Sequence, residues 1–102
     1  MEKFADDTHG LKWKGHDGAV LSLAASPVGT LFASGGQNQM IRLWEVPSGR
    51  ELARWQAHED AVTALAFSPD GQILASGSME GTLKLWNLAL MRRQLAALAL
   101  DW

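Results

Sequence analysis

The feature that most constrains this chain of 102 residues is an internal repeat with an offset of 42 positions. Trp13 and Trp55 are related by this offset (55 − 13), and so are Trp44 and Trp86. No insertion or deletion interrupts it between residues 13 and 86, and it also relates His16 to His58, Ala19 to Ala61, Val20 to Val62, Leu23 to Leu65, Ser26 to Ser68, Pro27 to Pro69, Gly29 to Gly71, Ser34 to Ser76, Gly35 to Gly77 and Leu43 to Leu85. Such a repeat indicates an array of similar supersecondary units.

Within each unit the residue pattern predicts short antiparallel strands. The apolar runs AVLSLAAS and AVTALAFS end in SPVGT and SPDGQ, where Pro and Gly favour a tight turn. The second strands are LFASGG and ILASGS, the third are MIRLWEV and TLKLWNL, and ELARWQAH is a more polar fourth. Because four strands in about 42 residues leave no room for a crossover helix, we predict an all-β fold of antiparallel meanders.

Two stretches of the sequence resemble consecutive repeats of the WD-repeat family, namely HDGAVLSLAASPVGTLFASGGQNQMIRLWEV and HEDAVTALAFSPDGQILASGSMEGTLKLWNL. The resemblance covers roughly residues 10 to 88. It implies WD-repeat β-propeller blades, two per chain, each a four-stranded antiparallel meander. We accordingly assign residues 1–9 to a flexible N-terminal segment, 10–16 to the outer strand of a preceding or neighbouring blade, 17–58 to blade one and 59–102 to blade two with a divergent C-terminal tail.

The resemblance also implies a hydrogen-bonded relay in each blade, made by a His, a Ser or Thr, a Trp and an Asp. The residues at these positions are His16, Ser34, Trp44 and Asn38 in blade one, and His58, Ser76, Trp86 and Glu80 in blade two. Asn and Glu thus replace the family's Asp. Since a charged acceptor makes a hydrogen bond about twice as strong as a neutral one, and Glu is one methylene longer than Asp, we expect both relays to be weaker than in typical repeats.

A His and a Ser with a carboxylate nearby also have the composition of a hydrolase triad. These groups recur once per unit, however, as structural elements do, and we interpret the tryptophans among them as core residues. His9, His16 and His58 are scattered and the chain has no cysteine, so we predict neither a metal site nor a disulfide. No Gly-rich turn is followed by a helix and the Lys of a phosphate loop. We predict no catalytic residue, metal or cofactor.

Charge and hydropathy argue against two further classes of partner. The formal net charge is −2, and no run of basic residues exceeds Arg92–Arg93, whereas nucleic-acid binding needs a basic face. The apolar stretches are strand-sized, far below the roughly 20 residues that span a bilayer. The N-terminus shows no apolar core of a secretory signal, so we expect a cytoplasmic protein without nucleic-acid or membrane partners.

Two blades raise a problem of ring closure, because propellers have about 4–8 blades. An isolated blade exposes an apolar face, which should be unstable in water. Three or four copies could form a ring, with each Gly10–Lys14 strand completing the second blade of its neighbour. Alternatively, the chain belongs to a larger protein, or another chain supplies the missing blades. We favour the homo-oligomeric ring.

The tail ALMRRQLAALALDW departs from the repeat and leaves two conformations open. Helical spacing relates Leu88, Met91, Leu95, Leu98 and Trp102. The alternation of large apolar residues with small or polar residues near the C-terminus instead fits a strand. For residues 89–102 we favour a strand that completes blade two, with a docking amphipathic helix as the alternative.

The resemblance implies a non-catalytic protein-interaction scaffold. We define its top face as the turns before the first strand and between the second and third strands of each blade, represented by Asp17, Gln37, Gln39, Glu59, Asp60, Met79 and Glu80. Their acidic and polar character predicts basic or hydrogen-bonding partners. The alternatives are a truncated or engineered self-assembling blade pair without a ligand, and a regulatory fragment of a larger multidomain protein.

Overall fold

The computed structural model describes residues 3–5, 11–13, 15–27, 29, 31–46 and 48–97. Its strands are β1 Lys3–Ala5, β2 Leu11–Trp13, β3 Val20–Ala25, β4 Leu31–Gly36, β5 Met40–Glu45, β6 Glu51–Gln56, β7 Val62–Phe67, β8 Ile73–Ser78 and β9 Leu83–Asn87, and a helix, α1, spans Leu88–Ala97. Gly10 and Lys14 of the predicted outer strand, and residues 98–102 of the tail, lie outside the described residues.

The strands form two antiparallel meanders, as the sequence predicts. Blade one is a four-stranded sheet in the order β3-β4-β5-β6. Blade two is a sheet in the order β7-β8-β9, so its described part has three strands instead of the four predicted. The all-β architecture of two consecutive blades is therefore confirmed, while β9 has a strand partner on one edge only in the described part of the chain.

The repeat of the sequence is also a repeat of strand register. Ala33 lies opposite Leu43 in blade one, and Ala75 lies opposite Leu85 in blade two. In both blades the register shifts at the start of the first strand, where a bulge increases the local twist. Equivalent residues therefore occupy equivalent places in the two sheets.

The SPDG sequence forms its turn through side chains as well as backbone. Ser68 Oγ donates a hydrogen bond to Asp70 Oδ1 at 2.6 Å and accepts one from the Ile73 N–H at 3.0 Å. The same Asp70 oxygen accepts the Gln72 N–H at 3.0 Å. Gly71 has a φ of 73°, where a Cβ would cost roughly 1–2 kcal/mol. Ser, Asp and Gly are therefore each required locally, which explains why this turn is readable from sequence.

The hydrophobic core lies where the front face of blade one meets the back face of blade two. We define the front face by Ala33, Gly35, Ile41 and Leu43 in blade one, and by the equivalent Ala75, Gly77, Leu83 and Leu85 in blade two. We define the back face by Val20, Leu23, Phe32 and Trp44 in blade one, and by Val62, Leu65, Leu74 and Trp86 in blade two. Ile41, Leu43, Val62 and Leu74 are 0% exposed. Each such side chain contributes about 1.5–3 kcal/mol by its removal from water.

The C-terminal tail is helical over Leu88–Ala97, so the outer strand that we favoured there is wrong. This segment contains only Leu, Ala, Met, Arg and Gln, which are good helix formers, and no β-branched residue. Asn87 Oδ1 accepts the Leu90 N–H at 2.9 Å and caps the first turn. Leu88 and Met91, one turn apart, pack on the core. Local propensity, a cap and two apolar anchors together favour the helix.

The N-terminal segment also differs from the prediction. β1 pairs with β2 in a separate two-stranded sheet, with Lys3 opposite Trp13 and Ala5 opposite Leu11. Lys3–Ala5, within the segment that we predict to be flexible, thus forms a strand. Pairing with β2 provides hydrogen-bond partners for the backbone N–H and C=O groups of Lys3–Ala5. The polar residues beside this strand in the sequence do not reveal the pairing.

Replacing Asn87 with Ala removes the cap of α1. We expect the free energy of unfolding to fall by about 1 kcal/mol, as measured by urea denaturation followed by far-ultraviolet circular dichroism. Arg93→Ala, at an exposed position of the same helix, is the control and should stay within about 0.5 kcal/mol of the original chain. An Asn87→Ala variant of unchanged stability would show that the cap does not hold the helix.

Candidate functional site

The four relay residues of blade one form a continuous chain of hydrogen bonds. Trp44 Nε1 donates to Ser34 Oγ at 2.8 Å, and that oxygen lies 2.7 Å from His16 Nε2. His16 Nδ1 lies 3.1 Å from Asn38 Oδ1. The relay joins the turn before β3 to β4, to β5 and to the turn between β4 and β5, so it ties four parts of the sheet together.

Blade two has the same arrangement at the equivalent positions. Trp86 Nε1 donates to Ser76 Oγ at 2.9 Å, which lies 2.8 Å from His58 Nε2. His58 Nδ1 lies 3.1 Å from Glu80 Oε1. The longer Glu thus reaches the His at the same distance as Asn does in blade one.

The chemistry of the end groups fixes the direction of each relay. An indole N–H only donates, so the Ser oxygen accepts from Trp and its own O–H donates to His Nε2. His Nδ1–H then donates to the oxygen of Asn38 or Glu80. In this direction the Nδ1 proton of His16 lies in the hydrogen bond to Asn38, and that of His58 in the hydrogen bond to Glu80. Within each relay, the Trp Nε1, the Ser Oγ and both His ring nitrogens have partners in the chain.

The Ser76, His58 and Glu80 atoms follow the order of a hydrolase triad, but their location excludes that use. Ser76 is 2% exposed and His58 1% exposed. The Ser76 oxygen already accepts the indole N–H of Trp86. A substrate carbonyl has no access to this hydroxyl, so the group is a packing element of the sheet.

Burial changes the protonation of His16. Desolvation lowers the pKa of His16 below its usual value of 6.5, and it outweighs the hydrogen bond to Asn38, which acts in the opposite direction. The nearby Arg42 lowers this pKa further. The neutral imidazole required by the relay is thereby favoured at neutral pH.

Glu80 is the charged end of the second relay. Desolvation acts to raise its pKa, but hydrogen bonds with Ser78, with His58 and with the backbone N–H of Glu59 together lower the pKa below 4.5. Glu80 therefore stays a carboxylate at neutral pH. Its negative charge faces the Nδ1–H that the relay assigns to His58.

The described residues contain neither a cluster of metal ligands nor a membrane-spanning helix. Across the described ranges, His, Asp and Glu side chains form no group of three that could hold a metal ion. The described part of the chain also contains no helix with the length and apolar character needed to cross a membrane.

The top face is formed by four turns at one end of the two sheets. Its residues lie before β3 (Asp17), between β4 and β5 (Gln37 and Gln39), before β7 (Glu59 and Asp60) and between β8 and β9 (Met79 and Glu80). Backbone hydrogen bonds join the two turns within each blade, from the Gln37 N–H to the Ala19 carbonyl and from the Met79 N–H to the Ala61 carbonyl. The seven predicted residues are thus gathered at one end.

Gln39 connects the turns of the two blades. Its side-chain nitrogen donates to the Glu59 carbonyl at 3.3 Å, and its side-chain oxygen accepts from Gln56 at 3.2 Å. Gln39 has a φ of 72°, whereas the equivalent residue of blade two is Gly81, with a φ of 86°. A side chain in this left-handed region is strained, and such strain is often retained at binding turns. Met79, by contrast, is 71% exposed.

Two interactions near this end were not predicted from the sequence. Lys84 Nζ donates to the Ala57 carbonyl at 2.7 Å and lies 5.8 Å from the centre of the Trp86 ring. Ser22 Oγ donates to the Val62 carbonyl at 3.0 Å and thereby links the blades. The contact of Lys84 with the Trp86 ring repeats in blade one, where Arg42 lies 5.9 Å from the centre of the Trp44 ring. The hydrogen bond of Ser22 has no equivalent in blade two, because Ala64 lacks a hydroxyl.

Ser76→Ala leaves the Trp86 N–H and the His58 Nε2 without partners inside the sheet. We expect a loss of about 2–4 kcal/mol in the free energy of unfolding, measured by urea denaturation with tryptophan fluorescence. Thr82→Ala removes an exposed hydroxyl and should change stability by less than about 0.5 kcal/mol. If both variants were equally stable, the relay would not be stabilising.

The lowered pKa of His16 predicts how stability depends on pH. Between its folded pKa and 6.5, the unfolded chain binds more protons than the folded chain, so the free energy of unfolding should decrease as pH falls below about 6.5. Asn38→Asp places a carboxylate beside Nδ1, raises the pKa of His16 and should make this decrease smaller. Urea denaturation between about pH 5 and 7 measures both slopes, and a steeper slope in Asn38→Asp would contradict the assignment.

Comparison with known proteins identifies the repeats. The family model described as "WD domain, G-beta repeat" matches residues 8–45 and 49–87. The ribosome biogenesis protein erb1 of Botryotinia fuckeliana is 48% identical over 40 residues, which are 39% of this chain and 5% of that protein. The ribosome biogenesis protein ERB1 of Yarrowia lipolytica is 45% identical over 42 residues, or 41% of this chain and 5% of that protein. The chain thus matches only about one twentieth of the length of these curated relatives.

A solved structure is similar over a larger part of the chain. The crystal structure of the computationally designed Ika4 protein superposes with a TM-score of 0.66 and 32% sequence identity, covering 76% of this chain and 46% of that one. The two stretches matched by the family model contain the strands of blade one and blade two respectively, apart from β6, which lies at the start of the second stretch. With two consecutive repeats matched over most of its length and folded as successive antiparallel meanders, the chain belongs to the WD-repeat family.

Proposed function

We propose that this chain is a non-catalytic protein-interaction scaffold whose two blades form part of a closed propeller. The observation that carries the proposal is the contrast between the two front faces. Ile41 and Leu43 are 0% exposed under blade two, whereas the equivalent Leu83 and Leu85 are 84% and 75% exposed. A contiguous apolar surface of this kind is typical of an interaction site. A scaffold that requires further blades explains why the front face of blade two is apolar and exposed.

The surface proposed to bind partners is the top face. It combines the carboxylates of Asp17, Glu59, Asp60 and Glu80 with the amides of Gln37 and Gln39 and the exposed Met79. Carboxylates favour basic partner segments, and amides add hydrogen bonds that select among them. Turns held by a rigid sheet are also a common place for recognition residues.

The other parts of the proposal follow from the sequence. Blades supplied by further copies, three or four chains in all, or by other chains would complete the ring. The net charge of −2 supports a protein partner over a nucleic acid. The cytoplasmic location stays a prediction, which fractionation of cells that express the chain would test.

Two other functions have separate support. Similarity to the computationally designed Ika4 protein supports the alternative of an engineered blade pair, which would self-assemble without a ligand of its own. The short match to the ribosome biogenesis proteins favours a fragment of a larger multidomain protein, in which these blades have a regulatory role. Binding by the top face distinguishes the scaffold from the first of these.

The test is a selection of peptides from a random library on the immobilised chain. We expect basic peptides to be enriched, and the double variant Glu59→Gln/Asp60→Asn to weaken their binding about tenfold in isothermal titration calorimetry. Glu45→Gln/Asp70→Asn removes the same charge at the opposite end of the sheets and should leave binding unchanged. Circular dichroism shows whether each variant is folded.

The scaffold proposal predicts that peptide binding weakens only when the charges of the top face are removed. If neutralising the top face and neutralising the opposite end weakened binding equally, the interaction would be general electrostatic attraction. If the selection enriched no peptide that depends on the top face, the chain would act as a blade pair without a ligand.

A further inference from the structure

The contact between the two blades shows how one blade packs on the next. Val62 packs directly on the backbone of Gly35, because a Cβ built at Gly35 would lie 2.6 Å from Val62 Cγ1. The Ser22 hydroxyl donates to the Val62 carbonyl at 3.0 Å beside this contact. The front face of a blade therefore accepts a Val from the back face of the following blade, and glycine is required to admit it.

The same position on blade two is unfilled by the described residues. A Cβ built at Gly77 would meet only Leu83 Cδ2 at 3.2 Å and Ala64 Cβ at 3.7 Å. An apolar depression of about 190 Å³ lies over this position, and its lining includes Ala64, Ala66, Ala75, Gly77, Leu83 and Leu85. These are the repeat equivalents of Ser22, Ala24, Ala33, Gly35, Ile41 and Leu43. The front face of blade two thus repeats the surface that blade one uses.

The complementary surface is present on the same chain, at the back face of blade one. The exposed part of this face is on β3, where Val20 is 44% exposed and Leu23 is 58% exposed, whereas Trp44 of the same face is 1% exposed. Their equivalents in blade two are the identical residues Val62, which is 0% exposed, and Leu65, which packs on the core. One copy therefore carries both halves of an interface whose geometry its own two blades already show.

We propose that the front face of blade two binds the back face of blade one in a second copy of this chain, with Val20 of that copy packed on Gly77. The inference rests on the proposed closure of a propeller and names the chain that closes it. Each contact is head-to-tail, so both faces of every copy are used once the ring closes. Because blades are related by a rotation about a common axis, repetition of this contact gives a ring of three or four chains.

Beside the packed valine, the contact between copies lacks one polar group of the internal contact. Ser22 has Ala64 as its equivalent, so the second interface lacks the hydroxyl that donates to the valine carbonyl. Ala64→Ser should supply this hydrogen bond to the Val20 carbonyl of the second copy. The substitution lies at an exposed position of the isolated chain, so a gain in association would report the contact rather than the fold.

The head-to-tail arrangement is tested by blocking one face at a time. Leu85→Asp blocks the front face of blade two, and Leu23→Asp blocks the back face of blade one. In sedimentation equilibrium we expect the unmodified chain to contain three or four copies and each variant alone to be monomeric. An equimolar mixture of the two variants should form a one-to-one dimer, because each retains the face that the other needs.

Matched variants complete the experiment. Leu90→Asp places the same charge on a 48% exposed leucine outside both faces and should leave the assembly unchanged. Ala64→Ser, introduced into the Leu23→Asp chain, should tighten the mixed dimer about fivefold. Circular dichroism of each variant confirms that loss of assembly is not loss of fold.

The inference is overturned if the unmodified chain is a folded monomer at micromolar concentration, or if the mixed variants do not dimerise. Two variants that remain oligomeric alone would overturn it as well, since the face blocked would not be the interface. The proposed scaffold function fails by a different result, the lack of peptide binding by the top face. A monomer that still binds such peptides would contradict the assembly between copies and leave the scaffold function supported.

Discussion

The structure depends on one constraint, that the apolar front face of a blade is covered by the back face of the next. A twisted antiparallel sheet of four short strands cannot bury both of its faces alone. In this chain the constraint is met once, between β4 and β5 of blade one and β7 of blade two, where Leu43 and Val62 are fully buried. On the front face of blade two the constraint is not met, and Leu85 there is exposed.

Inside each sheet the buried polar groups of the relay satisfy one another. Trp, Ser and His form the buried part of the relay, and their replacement would leave donors or acceptors unpaired away from water. The departures from the family pattern, Asn38 and Glu80, lie at the outer end, where both residues have access to solvent. Water can complete the hydrogen bonding of a group at that end, so a neutral amide or a longer carboxylate is tolerated there. The relay thus departs from the family pattern at the position where a substitution costs the least stability.

The two repeats differ most where the chain leaves the repeat. In blade one the segment after β5 turns back as β6, which pairs with it. In blade two Asn87 caps a helix at the corresponding point, and β9 keeps an edge without a strand from the described part of the chain. Local helix propensity is stronger there than the tendency to repeat the meander, because no β-branched residue favours extended backbone.

The resemblance to WD repeats supplied the eight relay positions, and the sequence by itself determined the repeat, the strands of the two meanders and their turns. These depend on local pattern and fixed spacing, such as the Pro, Asp and Gly of the SPDG turn or the offset between Trp44 and Trp86. The choice between helix and strand after Asn87 was not determined, since leucine and alanine fit both periods. The pairing of β1 with β2 was likewise not determined, because strand partners are chosen in space rather than along the chain.

Only the tertiary structure decided which equivalent residues are buried. Leu43 and Leu85 are identical in type and in register, yet one is enclosed and the other is 75% exposed. Burial of a repeated residue depends on what lies against its sheet, and no local pattern records that. The left-handed backbone of Gln39 and the Ser22 hydrogen bond to Val62 belong to the same class. Both features depend on the packing of the two sheets against each other. The local sequence specifies each sheet more directly than it specifies how the sheets pack.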